Sequence, residues 1–426
     1  MTLVLHNAAE LVCVAQGGER SLRGSALRDL VIIPDGAVVV AGDKIAWVGA
    51  TAELPTIPTH VRLINASGKT VLPGFIDSHT HLLFAGSRED EFEQRLQGTS
   101  YQEIAARGGG INATVQRVRQ ASKDELKDLA RRRLQRFLEF GVTTIEVKSG
   151  YGLTLADELK CLEAIAELNA EGPLELVPTF LGAHAVPPEY RNDRAGYLRL
   201  LADDLLPEVA RCRLAEFCDV FCETGVFSLE ESQALLSRAH KLGLGLKLHA
   251  DELTPLGGAE LAVRLGAASA DHLLCVGEAG IDALAGSETV ATLLPGTAFF
   301  LGVDYAPARR LIERGAAVAL ASDCNPGTCP TENLPLVGSM ACTQMKMLPG
   351  EVVAALTLNT AAALRRSAQI GSLEPGKQAD LLVCDVPNHR HLFYHFGVNH
   401  VSLVIKRGEV VHPAGVAASG GECLPS

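Results

Sequence analysis

No run of apolar residues in this chain approaches the length of a transmembrane helix. Its first residues, Met-Thr-Leu-Val-Leu-His-Asn, carry neither a basic segment nor a sustained apolar one, so no secretory signal is expected. Positive charge is in deficit. The net charge of −12 argues against nucleic acid or an anionic membrane as a partner. Aromatic residues make up only 5% of a chain that is 47% hydrophobic, so the expected core is aliphatic. The 11 cysteines are odd in number and cannot all pair. Cys218-x3-Cys222 and Cys324-x4-Cys329 fit neither zinc-ribbon nor redox spacing, and are read as reduced, mostly buried thiols of a cytoplasmic protein. Gly108-Gly-Gly110 lacks the Gly-Lys-Ser/Thr that would complete a phosphate loop, and is read as a flexible turn, part of a lid, with Tyr101 beside the pocket. There is no internal repeat, low-complexity stretch or long flexible linker.

What is present is an alternating middle between two β-rich ends. At 426 residues the chain exceeds one ordinary domain but suits a barrel with an appendage. Residues 36–49 read as a hairpin turning at Gly42-Asp43, and residues 401–412 as another. Apolar strand candidates lie near 71–76, 142–147, 174–180, 217–222, 244–249, 268–272, 289–294 and 316–321. Helical patterns separate them. Ser122-Lys-Asp-Glu125 and Ser228-Leu-Glu-Glu231 are capping boxes opening amphipathic runs that close at Gly141 and Gly243. Eight strands in βα alternation predict an α/β fold, a TIM-like (β/α)8 barrel over 71–367. Segments 1–70 and 368–426 are expected to build one small β-sandwich from both termini.

The chemistry-bearing residues fall at the predicted strand ends, where barrels of this kind gather their active groups. The first strand runs into Asp77-Ser-His-Thr-His81. Alternate side chains of an extended chain share a face, so His79 and His81 point together, with Asp77 on the same side. Tyr151 follows strand two, His184 strand three and Glu223 strand four. His249 ends strand five, just before Asp251 and Glu252; His272 ends strand six; Asp323 follows strand eight. Histidines in so many of these places are hard to explain by core packing. Three imidazoles and a carboxylate suit Zn2+ or a similar borderline ion with room for a water. Glu252, His272 and Asp323 are then candidates for moving protons.

This arrangement resembles the amidohydrolase superfamily over nearly the whole chain. The likeness rests on Pro73-Gly-Phe-Ile-Asp-Ser-His-Thr-His81, the later His and Asp, and Pro375-Gly-Lys-Gln-Ala-Asp-Leu381. Further segments narrow it: Phe84-Ala-Gly-Ser-Arg88, Gly108-Gly-Gly-Ile111, Glu146-Val-Lys-Ser-Gly-Tyr-Gly-Leu153, Thr179-Phe-Leu-Gly-Ala-His-Ala185, His249-Ala-Asp-Glu252 and Ser322-Asp-Cys-Asn-Pro-Gly-Thr328. These resemble the branch that opens the lactam of 4-imidazolone-5-propanoate with water to N-formimidoyl-L-glutamate in histidine breakdown. The resemblance implies one Zn2+ or Fe3+ ion per chain, held by His79, His81, His249 and Asp323. It places Arg88, Tyr151, His184, Glu252, Asn325, Gly327 and Thr328 around a small-molecule substrate. An Arg fork suits the substrate's carboxylate, and donors in Asn325-Pro-Gly-Thr328 suit the carboxylate that cleavage creates. A homodimer is compatible with this reading.

Two other functions compete. One is deamination of a nucleobase-like ring by the same superfamily, against which Arg88 and residues 325–328 favour an acidic substrate. The other is a non-catalytic barrel scaffold, which would have no reason to keep four ligands and two acid–base candidates. Lys148 and Glu223 are assigned surface or structural roles. A second histidine group, His389-Arg-His391 with His395 and His400, repeats the H-x-H spacing but has no paired strand-end carboxylate.

Overall fold

The structure is a computed structural model that describes residues 2–56, 61–99, 103 and 108–413. In chain order its strands are β1 (Thr2–Val14), β2 (Val31–Ala41), β3 (Lys44–Ala50), β4 (Arg62–Asn65), β5 (Thr70–Pro73), β6 (Phe75–Asp77), β7 (Val142–Lys148) and β8 (Glu175–Ala183). The later strands are β9 (Phe217–Cys222), β10 (Gly245–Ala250), β11 (Ser269–His272), β12 (Val290–Leu293), β13 (Val318–Leu320), β14 (Leu381–Cys384), β15 (Val401–Lys406) and β16 (Glu409–His412).

Strands β6 to β13 lie side by side in sequence order, all parallel, with helices between them. The ring closes just beyond the first and last strands. Asp323 N donates to His79 O at 3.0 Å, and His81 N to Cys324 O at 3.0 Å. The closing bonds therefore fix three of the proposed metal ligands or their immediate neighbours to one another.

The helices begin as their sequences require. Ser122 accepts from Glu125 N and opens Lys123–Glu139, burying Leu126, Ala130, Leu134, Phe137 and Leu138 on one face. Ser228 and Glu231 form a reciprocal capping box on Leu229–Lys241.

The stretch read as one strand over 71–76 is two. Thr70–Pro73 pairs with β1 and β14 in the outer sheet, and Phe75–Asp77 pairs with β7 in the barrel. The switch occurs in one residue: Gly74 N donates to Asp380 O, Phe75 N to Gly141 O, both at 3.0 Å. A Cβ on Gly74 would stand 2.4 Å from Thr143 Oγ1, so only glycine lets the backbone pass between the two sheets there. A continuous apolar run carries no mark of this change of sheet, which is why the sequence pattern merged the two.

The outer sheet runs β16-β15-β14-β5-β1-β2-β3, with β4 also on β1. Leu3, Leu5, Leu11 and Cys13 of β1 close with Val38, Val40, Ile45, Leu381, Val383 and Ile405 on a second core. Val12 and Val14 of the same strand join the barrel's core instead. Sandwich and barrel thus share a strand with two buried faces. The described cysteines are free thiols, most of them buried. No helix among the described residues is long and apolar enough to cross a membrane.

Candidate active site

The three histidines and the aspartate meet at the C-terminal mouth of the barrel. His249 Nε2 lies 3.4 Å from His81 Nε2. Asp323 Oδ1 lies 3.6 Å from His81 Nε2 and 3.7 Å from His79 Nε2. All four residues are buried, and His79 Nε2 has no hydrogen-bond partner. A buried imidazole nitrogen normally finds one. Two ligand atoms each about 2.0–2.1 Å from one tetrahedral Zn2+ stand roughly 3.3 Å apart. The observed spacings and the orphaned nitrogen therefore fit one metal ion, and the site supports metal binding. His272 brings a further nitrogen within 4.8 Å of those of His79 and His249.

Behind these groups lies a buried charged layer. His79 Nδ1–H donates to Asp271 Oδ2 at 2.7 Å, which fixes the tautomer and aims Nε2 inward. Asp219 Oδ2 stands 3.0 Å from His249 Nδ1, and its Oδ1 accepts from His249 N at 3.2 Å. Lys148 Nζ sits between Asp219 Oδ2 at 2.8 Å and Glu146 Oε1 at 2.7 Å, all three fully enclosed. Glu146 in turn accepts from Thr80 N, between the two histidines. Lys148 is structural, and of the two positions the sequence allowed it, the surface one is excluded. Asp77 Oδ1 accepts from Ser322 N at 3.1 Å and from His79 N at 3.4 Å, bracing the backbone beside two of the proposed ligands.

Electrostatics separate the acid–base candidates. Burial, with the nearby imidazoles and Lys148, holds His79, His81 and His272 well below the ordinary histidine range, so they are neutral. Burial also lowers His249, but the Asp219 carboxylate more than offsets it and the net shift is upward. Burial, reinforced by the charge of Asp323, pushes Glu252 up to about 8; burial raises Asp323 to about 6. Glu252 Oε2 lies 3.5 Å from His272 Nε2. Asp323 is less free: Thr297 Oγ1 donates to its Oδ2 at 2.5 Å while its Oδ1 faces His79 and His81.

The loop that carries Glu252 is held at both ends. Glu223 accepts from Leu253 N at 2.8 Å and Thr254 N at 3.3 Å. Asp251 accepts from Gly257 N, Gly258 N and Ala259 N. Glu223 is thus occupied as a loop anchor. Asp251, His272 and Asp323 all have positive φ, between 50° and 79°. That conformation is uncommon for residues other than glycine, and at site residues it re-aims the side chain at the strand end.

Arg88 lies at the edge of the mouth. Its Nε and Nη2 hold Glu91 at 2.8 and 2.7 Å, and Glu91 also accepts from Gly110 N at 2.9 Å. The Gly108–Gly110 turn is thereby tied to Arg88. The opposite edge of the fork lies against Gly327, where a Cβ would stand 2.2 Å from Nη1. Asn325 Oδ1 accepts from Gly327 N and Thr328 N, both at 2.8 Å, which sets the 325–328 turn. His184 Nδ1–H donates to Gly150 O at 3.0 Å, and its ring stacks on that of His81 at 4.9 Å. Tyr151 is buried beside both, 5.8 Å from His81 and 5.3 Å from His184. Tyr101 lies outside the described residues.

Sequence reasoning passed over Asp219, Asp271, Glu146 and Thr297. Three of them had a visible signal: a charged residue inside an apolar run of a parallel strand, where continuous hydrophobicity is the rule. Thr297 had none.

Comparison with known proteins identifies the family. The Amidohydrolase family profile matches residues 70–411. An imidazolonepropionase from Shouchella clausii is 48% identical over 418 residues, 97% of this chain and 94% of that one. An imidazolonepropionase from Geobacillus kaustophilus is 49% identical over 413 residues, 96% and 97% of the two chains. In fold alone, an adenosine deaminase from Xanthomonas campestris with bound zinc is similar at a TM-score of 0.67 and 19% identity, over 96% of this chain and 92% of that one. By the family match across most of its length, and by near-half identity with imidazolonepropionases, this chain belongs to the amidohydrolase family.

Proposed function

We propose that the protein is a cytoplasmic imidazolonepropionase, hydrolysing 4-imidazolone-5-propanoate to N-formimidoyl-L-glutamate in L-histidine degradation. The carrying observation is the convergence of His79, His81, His249 and Asp323, in a chain nearly half identical to imidazolonepropionases. These four would hold one Zn2+ or Fe3+ ion per chain. Such an ion lowers the pKa of water and polarises a carbonyl.

The residues divide the remaining work. In the reaction the lactam C–N bond breaks, the water oxygen joins the carbonyl carbon, and a proton reaches the departing ring nitrogen. Glu252 accepts the proton of the attacking water and passes it to that nitrogen. The neutral imidazole of His272 donates an N–H to the carbonyl oxygen as negative charge builds there. Asp323 is the rival base, but its Oδ2 is held by Thr297 and its Oδ1 is the oxygen assigned to the metal. Arg88 receives the propanoate, with Glu91 steadying the fork from behind. Tyr151 and His184 line the ring's side of the pocket, and the new carboxylate falls to Asn325, Gly327 and Thr328, where it would take the place of Asn325 Oδ1 on the N–H groups of Gly327 and Thr328.

Two measurements test this reading. Purified protein should turn over 4-imidazolone-5-propanoate but not guanine- or cytosine-like rings. It should contain near one metal equivalent per chain, most of which His249→Ala loses. Deamination of a nucleobase instead, or unchanged metal content in the variant, overturns the assignment. Arg88→Met should raise KM roughly ten- to hundredfold, the scale of a lost charge-assisted hydrogen bond. Its metal content should stay intact. An unchanged KM would make Arg88 structural.

A further inference from the structure

We propose that His391, His395 and His400 form a second metal site, on the protein surface, for a borderline dication such as Ni2+ or Zn2+. The site is separate from the barrel mouth, in the segment joining β14 to β15. Each of the three histidines offers a ring nitrogen within 4.8 Å of the other two. Ring centroids are 5.6 Å apart for His391 and His395, 5.7 Å for His391 and His400, and 5.0 Å for His395 and His400.

The backbone produces this arrangement. His389–Tyr394 is a short helix, and His395 N donates to His391 O at 3.1 Å, continuing the turn. Residues four apart on a helical turn share a face, so His391 and His395 present their rings together. The chain then reverses and delivers His400 just before β15, where Asp385 N donates to His400 O at 2.8 Å. Leu392 and Phe393 are buried, and Phe393 packs on Gly338, where any Cβ would stand 2.6 Å from its ring. The platform is anchored while the histidine face meets solvent.

A detail of hydrogen bonding points to ligation. His400 Nε2–H donates to His395 O at 3.0 Å. That places the proton on Nε2 and leaves the Nδ1 lone pair available. Metal-ligating histidines commonly have their second ring nitrogen held by a carbonyl in this way.

The H-x-H spacing in the sequence indicated a different pair. His389 is withdrawn from the group, since both its backbone N and its Nδ1 lie 2.9 Å from Glu10 Oε2. The operative spacing is His391-x3-His395-x4-His400. Three imidazoles without a carboxylate favour Zn2+, Ni2+ or Cu2+ over Mg2+ or Ca2+. One exposed ligand, two half-buried ones and open coordination positions make the site exchangeable, in contrast to the enclosed site in the barrel.

The test uses tag-free holoenzyme, dialysed and then titrated with Ni2+ by calorimetry. One added equivalent per chain is expected beyond the metal already present. His391→Ala and His395→Ala should each weaken that added equivalent at least tenfold, with turnover and resident metal unchanged. His389→Ala should bind it as the wild type does. Absence of an added equivalent in the wild type overturns the proposal, as does binding indifferent to both His391→Ala and His395→Ala. Retained turnover in the variants shows that they fold.

Discussion

Replacement of Glu252 by glutamine is expected to lower kcat by roughly 10²–10⁴, the scale of a lost general acid–base, with fold and metal content kept. Glutamine preserves shape and hydrogen bonding but cannot take up a proton. The carboxylate sits on a loop fixed by Glu223 and Asp251, so the variant has little reason to move. Burial and the charge of Asp323 raise its pKa to about 8 in the absence of a cation. A positive charge held by the four neighbouring ligands favours the ionised form and brings that value down. Activity in the wild type should therefore fall on the acid side as Glu252 becomes protonated. That limb of the kcat/KM profile should disappear in Glu252→Gln, while KM changes little. Steady-state kinetics across pH, with elemental analysis of the same samples, checks both. Near-normal turnover would pass the role to Asp323 in spite of its bond to Thr297.

Much of this site was legible because its chemistry sits on a periodic backbone. His79 and His81 are two residues apart at a strand end, and period two alone places them on one face. His249, His272 and Asp323 stand out once the strands are counted and the polar residue at the end of each is noted. The strand count survived even though the first strand was merged with a strand of the outer sheet. What the sequence withheld depends on long-range pairing. Nothing local says that Glu223 anchors the loop of Glu252, or that Arg88 meets Glu91 on one edge and Gly327 on the other. The positive φ of His272 and Asp323 was equally hidden, because neither residue type announces that conformation. The charged layer of Glu146, Lys148, Asp219 and Asp271 was visible as charge within apolar strands. Its meaning appears only when Lys148 of β7, with Glu146 two residues before it, reaches Asp219 on β9, two strands away, within 3 Å.

That charged layer makes the largest stability prediction. Lys148→Met should destabilise the protein by about 3–5 kcal/mol, the usual consequence of removing one partner from a buried ion pair. Native proteins are stable by only about 5–15 kcal/mol in total, so the loss is severe. Methionine fills a similar volume, but it removes the cation between Glu146 and Asp219 in a fully enclosed space. Neutralising one of them should restore part of the loss, so Lys148→Met with Glu146→Gln is expected to be more stable than Lys148→Met alone. Burial opposes the charge on Lys148, but Asp219, Glu146 and Asp271 outweigh it and hold its pKa above the ordinary value of about 10.4. A raised folded-state value for a cation means its stabilisation is complete below the unfolded pKa. It is lost only as pH climbs through the folded one. The destabilisation of Lys148→Met should accordingly be full at neutral pH and shrink only in strong alkali. Urea unfolding of the two variants and the wild type provides the measurement, read as a shift in midpoint at constant slope. Since Asp219 also orients His249, Lys148→Met should bind its metal less tightly as well. A shift below about 1 kcal/mol, the range of an exposed ion pair, would show that the buried triad contributes little to holding the barrel together.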